Sequence, residues 1–213
     1  MAYILPLLFG FVVSVVGILP PGLINMTAAK ISLQDGKNRA MIFTSGAVLI
    51  VFFQTYLALI FARYIDAHQE VVILLREIGF GIFTIVTIYF FWIAKKPKVK
   101  IKEDIKIKSK KSRFFLGVLV SAINFFPIPY YVFVSVSLAS FGYFTFEPTS
   151  VYSFVLGVVL GSFLVFYTYI AFFNKIQNKT EFLMKNMNVI IGSVTGIISM
   201  ITLYNILKYY YPF

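Results

Sequence analysis

The sequence predicts an all-α membrane protein with six transmembrane helices, arranged as two inverted three-helix repeats, with helices 1 and 4 broken at Pro/Gly. Three observations predict it. Hydrophobic residues make up 60% of the 213 residues and charged residues 13%, and the mean hydropathy of +0.88 leaves too little polar surface for a water-soluble domain. The apolar residues are gathered into six runs separated by charged segments, each run about as long as the ~20 residues a helix needs to cross a bilayer or longer. Finally, proline and glycine interrupt runs one and four, at Gly17-Ile18-Leu19-Pro20-Pro21-Gly22-Leu23-Ile24-Asn25-Met26 and at Ser121-Ala122-Ile123-Asn124-Phe125-Phe126-Pro127-Ile128-Pro129-Tyr130.

The first run extends from Tyr3 to about Ile31 and begins without a basic leader or a small-residue cleavage site, so it is expected to remain as a membrane segment. A polar turn, Gln34 to Asn38, closes it. The second run, Ala40 to Ala62, has Ser45, Gln54 and Thr55 as its polar points. Arg63, Asp66, His68 and Glu70 make a short charged loop in which His68 reads as a solvated residue. The third run is Val71 to Ala94, with Arg76 and Glu77 as interface anchors at its start and Trp92 at its other end. Lys95 to Arg113 is a basic linker, read as a solvated determinant of topology. The fourth run, Phe114 to Phe146, carries no charge. The fifth and sixth are Val151 to Phe173 and Val189 to Leu207, and the glycine pairs Gly157/Gly161 and Gly192/Gly196 suggest that these two spans pack closely together. Residues 1–94 thus form the first repeat, 95–113 the linker and 114–213 the second repeat.

Charge sets the orientation. Lys30, Lys37 and Arg39 around the turn that closes run one, ten basic residues after run three and three after run five leave only Arg63, Arg76 and Lys208 of the 19 Lys and Arg on the other side. The basic side is cytoplasmic by the positive-inside rule, which puts both termini outside. The same asymmetry accounts for the net charge of +11 without a nucleic-acid partner. Three spans per half means that the halves enter the membrane from opposite sides, which is the geometry of inverted repeats.

Broken spans at matched positions of two halves are a pointer to a transporter's binding site. Proline removes a backbone donor and crowds the preceding turn, so the carbonyls of Val16 and Gly17 lose their usual partners. In hydrocarbon such groups must be satisfied by neighbouring protein or a wet cavity. Pro21 and Pro129 suit the first position of a half-helix, leaving the N–H groups of Gly22, Leu23 and Ile24, and of Tyr130, Tyr131 and Val132, free to receive an anion. Asn25 and Asn124 beside the breaks either contact a ligand or bond the carbonyls that proline frees. The candidate substrate-binding residues are Pro21, Gly22, Asn25, Gln54, Asn124, Phe126, Pro127, Pro129 and Tyr130.

Several classes are disfavoured by what the chain lacks. It has no cysteine, so disulfide, thiolate-metal and thiol redox chemistry are excluded, and one histidine with no clustered carboxylates gives a catalyst or metal little to use. No cofactor, metal site or enzymatic activity is expected. A rival to transport is a non-catalytic assembly or lipid-interacting subunit that docks an acidic partner through residues 95–113.

Six spans, a Pro-Gly break in span one followed by a glycine-containing basic turn, a long basic central loop and an Asn-then-Pro element in span four resemble the amino-acid exporters of the LysE/RhtB family. The family's Pro-Gly-Pro motif falls on Pro21, Gly22 and Leu23, with leucine in the third place. Its Asn-Pro element falls near Asn124 to Pro127, with two phenylalanines between. The resemblance covers nearly the whole chain in layout and implies a secondary transporter in a bacterial plasma (inner) membrane, driven by the electrochemical gradient and exporting amino acids or similar small metabolites. The uncharged interiors of both broken segments suggest neutral amino acids, because a lysine-like cation would find no counter-charge there. The expected partners are a small-molecule substrate and the lipid bilayer, with homo-oligomerisation left open.

Overall fold

A computed structural model describes residues 3–94 and 109–211; the Lys95–Lys108 part of the linker lies outside them. The described residues form α-helices joined by short turns. In order they are α1 (Ile4–Ile18), α2 (Leu23–Asp35), α3 (Lys37–Asp66), α4 (Gln69–Ile88) with a closing π-turn (Tyr89–Ile93), α5 (Lys110–Ile123), α6 (Pro127–Ser140), α7 (Pro148–Lys185) and α8 (Met187–Tyr210). Two of them, Lys37–Asp66 and the Pro148–Phe172 portion of α7, are long and apolar enough to cross a membrane unaided. The pairs α1/α2 and α5/α6 are bent by 76° and 60° at their breaks, and if each pair is one span the count becomes four. The bends fall where proline denies the chain its helical donors. Gly36, at φ +89°, supplies the left-handed residue that ends α2 and lets α3 begin at Lys37.

The chain divides into two compact units, each drawing on both halves of the sequence. The larger comprises Met1–Tyr64 and Lys102–Gln177, and the smaller Ile65–Ile101 and Asn178–Phe213.

In the larger unit, helices approach to backbone contact through glycine. A Cβ built on Gly10 of α1 would lie 2.1 Å from the Phe154 carbonyl oxygen of α7, and one on Gly157 of α7 would lie 2.1 Å from that of Leu7 in α1. The contact of α3 with α5 has the same form: a Cβ added to Gly117 would lie 1.9 Å from the Phe43 carbonyl oxygen, and one added to Gly46 would lie 2.2 Å from that of Phe114. No side chain fits at any of the four. Close approach lets dispersion and Cα–H···O contacts act where apolar burial gives helices in lipid no net drive to associate. Buried Phe43, Ala47, Phe154, Val158 and Phe166 fill the space around these crossings.

In the smaller unit, α4 with its π-turn packs along α8. Gly192 lies against the Phe91 ring and Gly196 against Thr87, while hydroxyls pair across the contact, Thr84 with Ser199 and Thr87 with Thr195, both at 2.8 Å. The expectation that spans five and six pack on each other through their glycines is therefore corrected. Gly157 and Gly161 of α7 meet α1, whereas Gly192 and Gly196 of α8 meet α4. Small-residue spacing marks a face for close approach but does not name the helix that takes it. Glu77 is exposed, as expected, and accepts a hydrogen bond from Tyr210 Oη at 2.7 Å.

Candidate functional site at the two helix breaks

At the first break α1 ends at Ile18 and α2 starts at Leu23, with Gly22 extended at φ −114°, ψ −179° as its N-cap. Three carbonyls within the break, those of Ile18, Leu19 and Pro20, are claimed by side chains. Asn25 Nδ2 donates to Ile18 O at 2.6 Å and to Pro20 O at 3.0 Å, and Tyr169 Oη of α7 donates to Leu19 O at 2.9 Å. The amide nitrogen of Asn25 thus fills the carbonyl-bonding alternative open in the sequence. Pro21 is buried and precedes the cap, which corrects its expected place as the first helical residue. The first main-chain bond of α2 is Met26 N–H to Gly22 O at 3.0 Å, so the first-turn donors are those of Leu23, Ile24 and Asn25.

The second break is built differently. α5 ends at Ile123, and Gln54 reaches across from α3 so that Nε2 donates to Ser121 O at 3.2 Å and to Asn124 O at 2.9 Å. α6 begins at Pro127, with Phe126 as its N-cap, so Pro127 and not Pro129 holds the first position. The expectation of free donors here is corrected at Tyr130. Pro127 and Pro129 have no N–H, Ile128 N–H bonds Phe125 O at 3.2 Å and Tyr130 N–H bonds Phe126 O at 3.3 Å. Asn124 takes part through its main chain, donating to Ser121 O and accepting from Gln54.

The two breaks adjoin. Tyr130 Oη donates to Val13 O of α1 at 2.9 Å, and its ring lies so close to Gly17 that a Cβ there would come within 2.8 Å. Phe126 stacks on Tyr130 with ring centroids 5.8 Å apart. The structure therefore brings together Asn25 and Pro21 at one break, Gln54, Asn124, Phe126, Pro127 and Tyr130 at the other, and joins them through Tyr130. Gly22 and Pro129 lie on the exposed side of their breaks. The whole assembly is uncharged, and its polarity comes from amides, hydroxyls and helix ends.

Sequence reasoning missed two contributors. Tyr169 and Ser121 sit in apolar runs as ordinary polar interruptions, and no spacing rule links them to the breaks. It also missed an ion pair at the end of α2, where Asp35 and Arg113 bond side chain to side chain with exposures of 0% and 1%. Arg113 falls in the stretch expected to be a solvated linker, but α5 starts at Lys110 with Ser109 as N-cap, so Arg113 is helical and turned inward. Arg39 adds a bond from Nη1 to Asp35 O at 3.3 Å, beside a cleft of ≈ 380 Å³ lined by Asp35, Lys37, Arg39 and Lys110 among others.

Apolar helices long enough to span, together with two broken pairs whose interruptions meet, define a multi-pass α-helical membrane protein. The chain belongs to the LysE type translocator family, whose profile matches residues 15–205, and is thus a member of a membrane transport family. Neither the characterised proteins nor the solved structures contain a match to it.

Proposed function

We propose that this protein is a secondary transporter that exports neutral amino acids, or similar small zwitterions, across a bacterial plasma membrane. The observation that carries the reading is the meeting of two broken helix pairs at Tyr130 and Gly17 within an uncharged surround. Broken helices at the middle of the bilayer hold substrates by their ends. The first-turn donors of α2 suit a carboxylate, and freed acceptors at the breaks suit an ammonium group. Membership of a translocator family supports the same class. A cationic amino acid would bring a charge with no carboxylate to meet it, and its outward passage would cost roughly a further 2.3 kcal/mol per 100 mV against an inside-negative potential.

Six spans in two inverted halves are part of this proposal. Its support is the reciprocal form of the glycine contacts. Leu7 and Gly10 of α1 correspond to Phe114 and Gly117 of α5, and Phe43 and Gly46 of α3 correspond to Phe154 and Gly157 of α7; in every pair the glycine follows by three residues. Under this arrangement each half sends its first helix to the second helix of the other, and residues 1–94 and 114–213 are the repeats. The basic linker lies in the cytoplasm and both termini outside. Reporter fusions within residues 95–108 and at Phe213 should read cytoplasmic and external respectively, and the reverse at both would overturn the topology.

Competition counterflow in proteoliposomes tests the substrate. Leucine, threonine and phenylalanine should compete, while lysine and arginine should not. Strong inhibition by lysine with none by leucine would refute the preference for neutral substrates.

A further inference from the structure

The two breaks are not chemical duplicates, and the difference lies in two serines at equivalent positions. Ser14 follows Gly10 by four residues in α1, and Ser121 follows Gly117 by four in α5; both are wholly buried. Ser14 is fully used: its Oγ donates to Val158 O at 3.0 Å and lies 2.8 Å from Ser162 Oγ. Ser121 Oγ has no hydrogen-bond partner among the described residues, and neither has Gln54 Oε1, on a side chain whose residue is 7% exposed. Hydroxyls elsewhere in these helices turn back on their own backbone, as Thr55 does to Val51 O at 2.7 Å and Ser135 to Tyr131 O at 2.7 Å. Ser121 does not.

Turning the Gln54 amide over would not relieve this. Its Nε2 already serves Ser121 O and Asn124 O, and an oxygen in that place would face two carbonyls. The amide orientation is therefore set, and Oε1 is left as an acceptor at the same joint as Ser121 Oγ. Both lie at the C-terminal end of α5, where the helix dipole favours positive charge. A buried acceptor left unpaired costs about 1–3 kcal/mol, so its retention calls for a ligand that completes it.

We infer that Gln54 Oε1 and Ser121 Oγ form the subsite for the substrate's ammonium group, so that the transporter has one oriented site and not two equivalent ones. The inference rests on the amino-acid reading above and sharpens it. The second break offers acceptors and no free first-turn donors, whereas the first has the carbonyls of Ile18, Leu19 and Pro20 capped by Asn25 and Tyr169 and keeps the α2 donors. Ammonium at Gln54 and Ser121 with carboxylate toward Leu23 and Ile24 gives the zwitterion one direction.

The test compares leucine with 4-methylpentanoate, which keeps the carboxylate and side chain but carries hydrogen in place of the ammonium, in counterflow by purified protein in proteoliposomes. Ser121→Ala leaves the main-chain carbonyl that Gln54 bonds and removes only an unpaired hydroxyl. It should raise the KM for leucine about tenfold or more, leave that for 4-methylpentanoate unchanged, and keep or raise the melting temperature. Ser14→Ala, by contrast, should lower the melting temperature and retain the preference for leucine. An unchanged leucine KM in Ser121→Ala overturns the subsite, and a lowered melting temperature alongside it assigns the two oxygens to a structural water. Equal loss for both compounds also overturns it, by pointing to packing. So does a change confined to sodium dependence when choline replaces sodium, which assigns the pair to a coupling cation. Wild-type protein that moves neither compound refutes the amino-acid reading itself, and the subsite with it.

Discussion

Replacing Arg113 with methionine should destabilise the protein by about 3–5 kcal/mol, two to four powers of ten in the folding equilibrium, because it leaves the Asp35 carboxylate buried without its counter-charge. Both side chains are essentially inaccessible, and they join the end of α2 to the start of α5. Asp35 Oδ1 and Arg113 Nε have no further hydrogen-bond partner among the described residues. The pair is therefore less than fully compensated. Exchanging both members for apolar residues, Asp35→Leu with Arg113→Met, should return most of the loss, since a buried ion pair is worth little against a well-packed apolar substitute. Thermal denaturation of the purified protein in detergent would measure all three chains. A single Arg113→Met variant that melts with the wild type would show the contact to carry no such energy.

Gly117→Ala should be nearly as damaging, although it adds a single methyl group. Its Cβ would sit 1.9 Å from the Phe43 carbonyl oxygen and 3.0 Å from the Ala47 nitrogen, so the α3 and α5 backbones must separate. Overpacking of this kind costs typically 1–3 kcal/mol, and here the obstacle is main chain, which cannot turn aside as a side chain can. Gly81→Ala in α4 is the contrasting case. Nothing lies within 4 Å of the added carbon, and removing glycine from a helix interior should gain up to about 1 kcal/mol. Melting temperatures should therefore move in opposite directions for two chemically identical substitutions. Similar shifts for both would mean that the α3–α5 crossing is wider than described.

The two breaks were legible because proline acts locally. Pro20-Pro21 and Pro127-Ile128-Pro129 end helices wherever they fall in a chain, and the bends of 76° and 60° appear where the sequence puts them. Their detailed chemistry was not. Which proline opens α6, and whether Tyr130 keeps a free N–H, depend on one or two residues of helix boundary that periodicity does not resolve. Gln54 could be named as a candidate because an amide is conspicuous in an apolar run. Ser121 could not, because a serine in such a run usually bonds its own helix, and only a neighbour's geometry shows that this one does not.

By itself, then, the sequence determined that this is an apolar, helical membrane chain interrupted at two points, because composition and proline act without regard to what lies beside them. Tertiary structure alone decided which helices share glycine contacts, that Arg113 turns inward to Asp35 and not out to solvent, and that the two breaks differ in their unpaired groups. Those outcomes depend on residues far apart in the chain, such as Gly10 with Phe154 and Gln54 with Asn124, meeting at van der Waals or hydrogen-bond distance. A contact between separate helices leaves no period in either one.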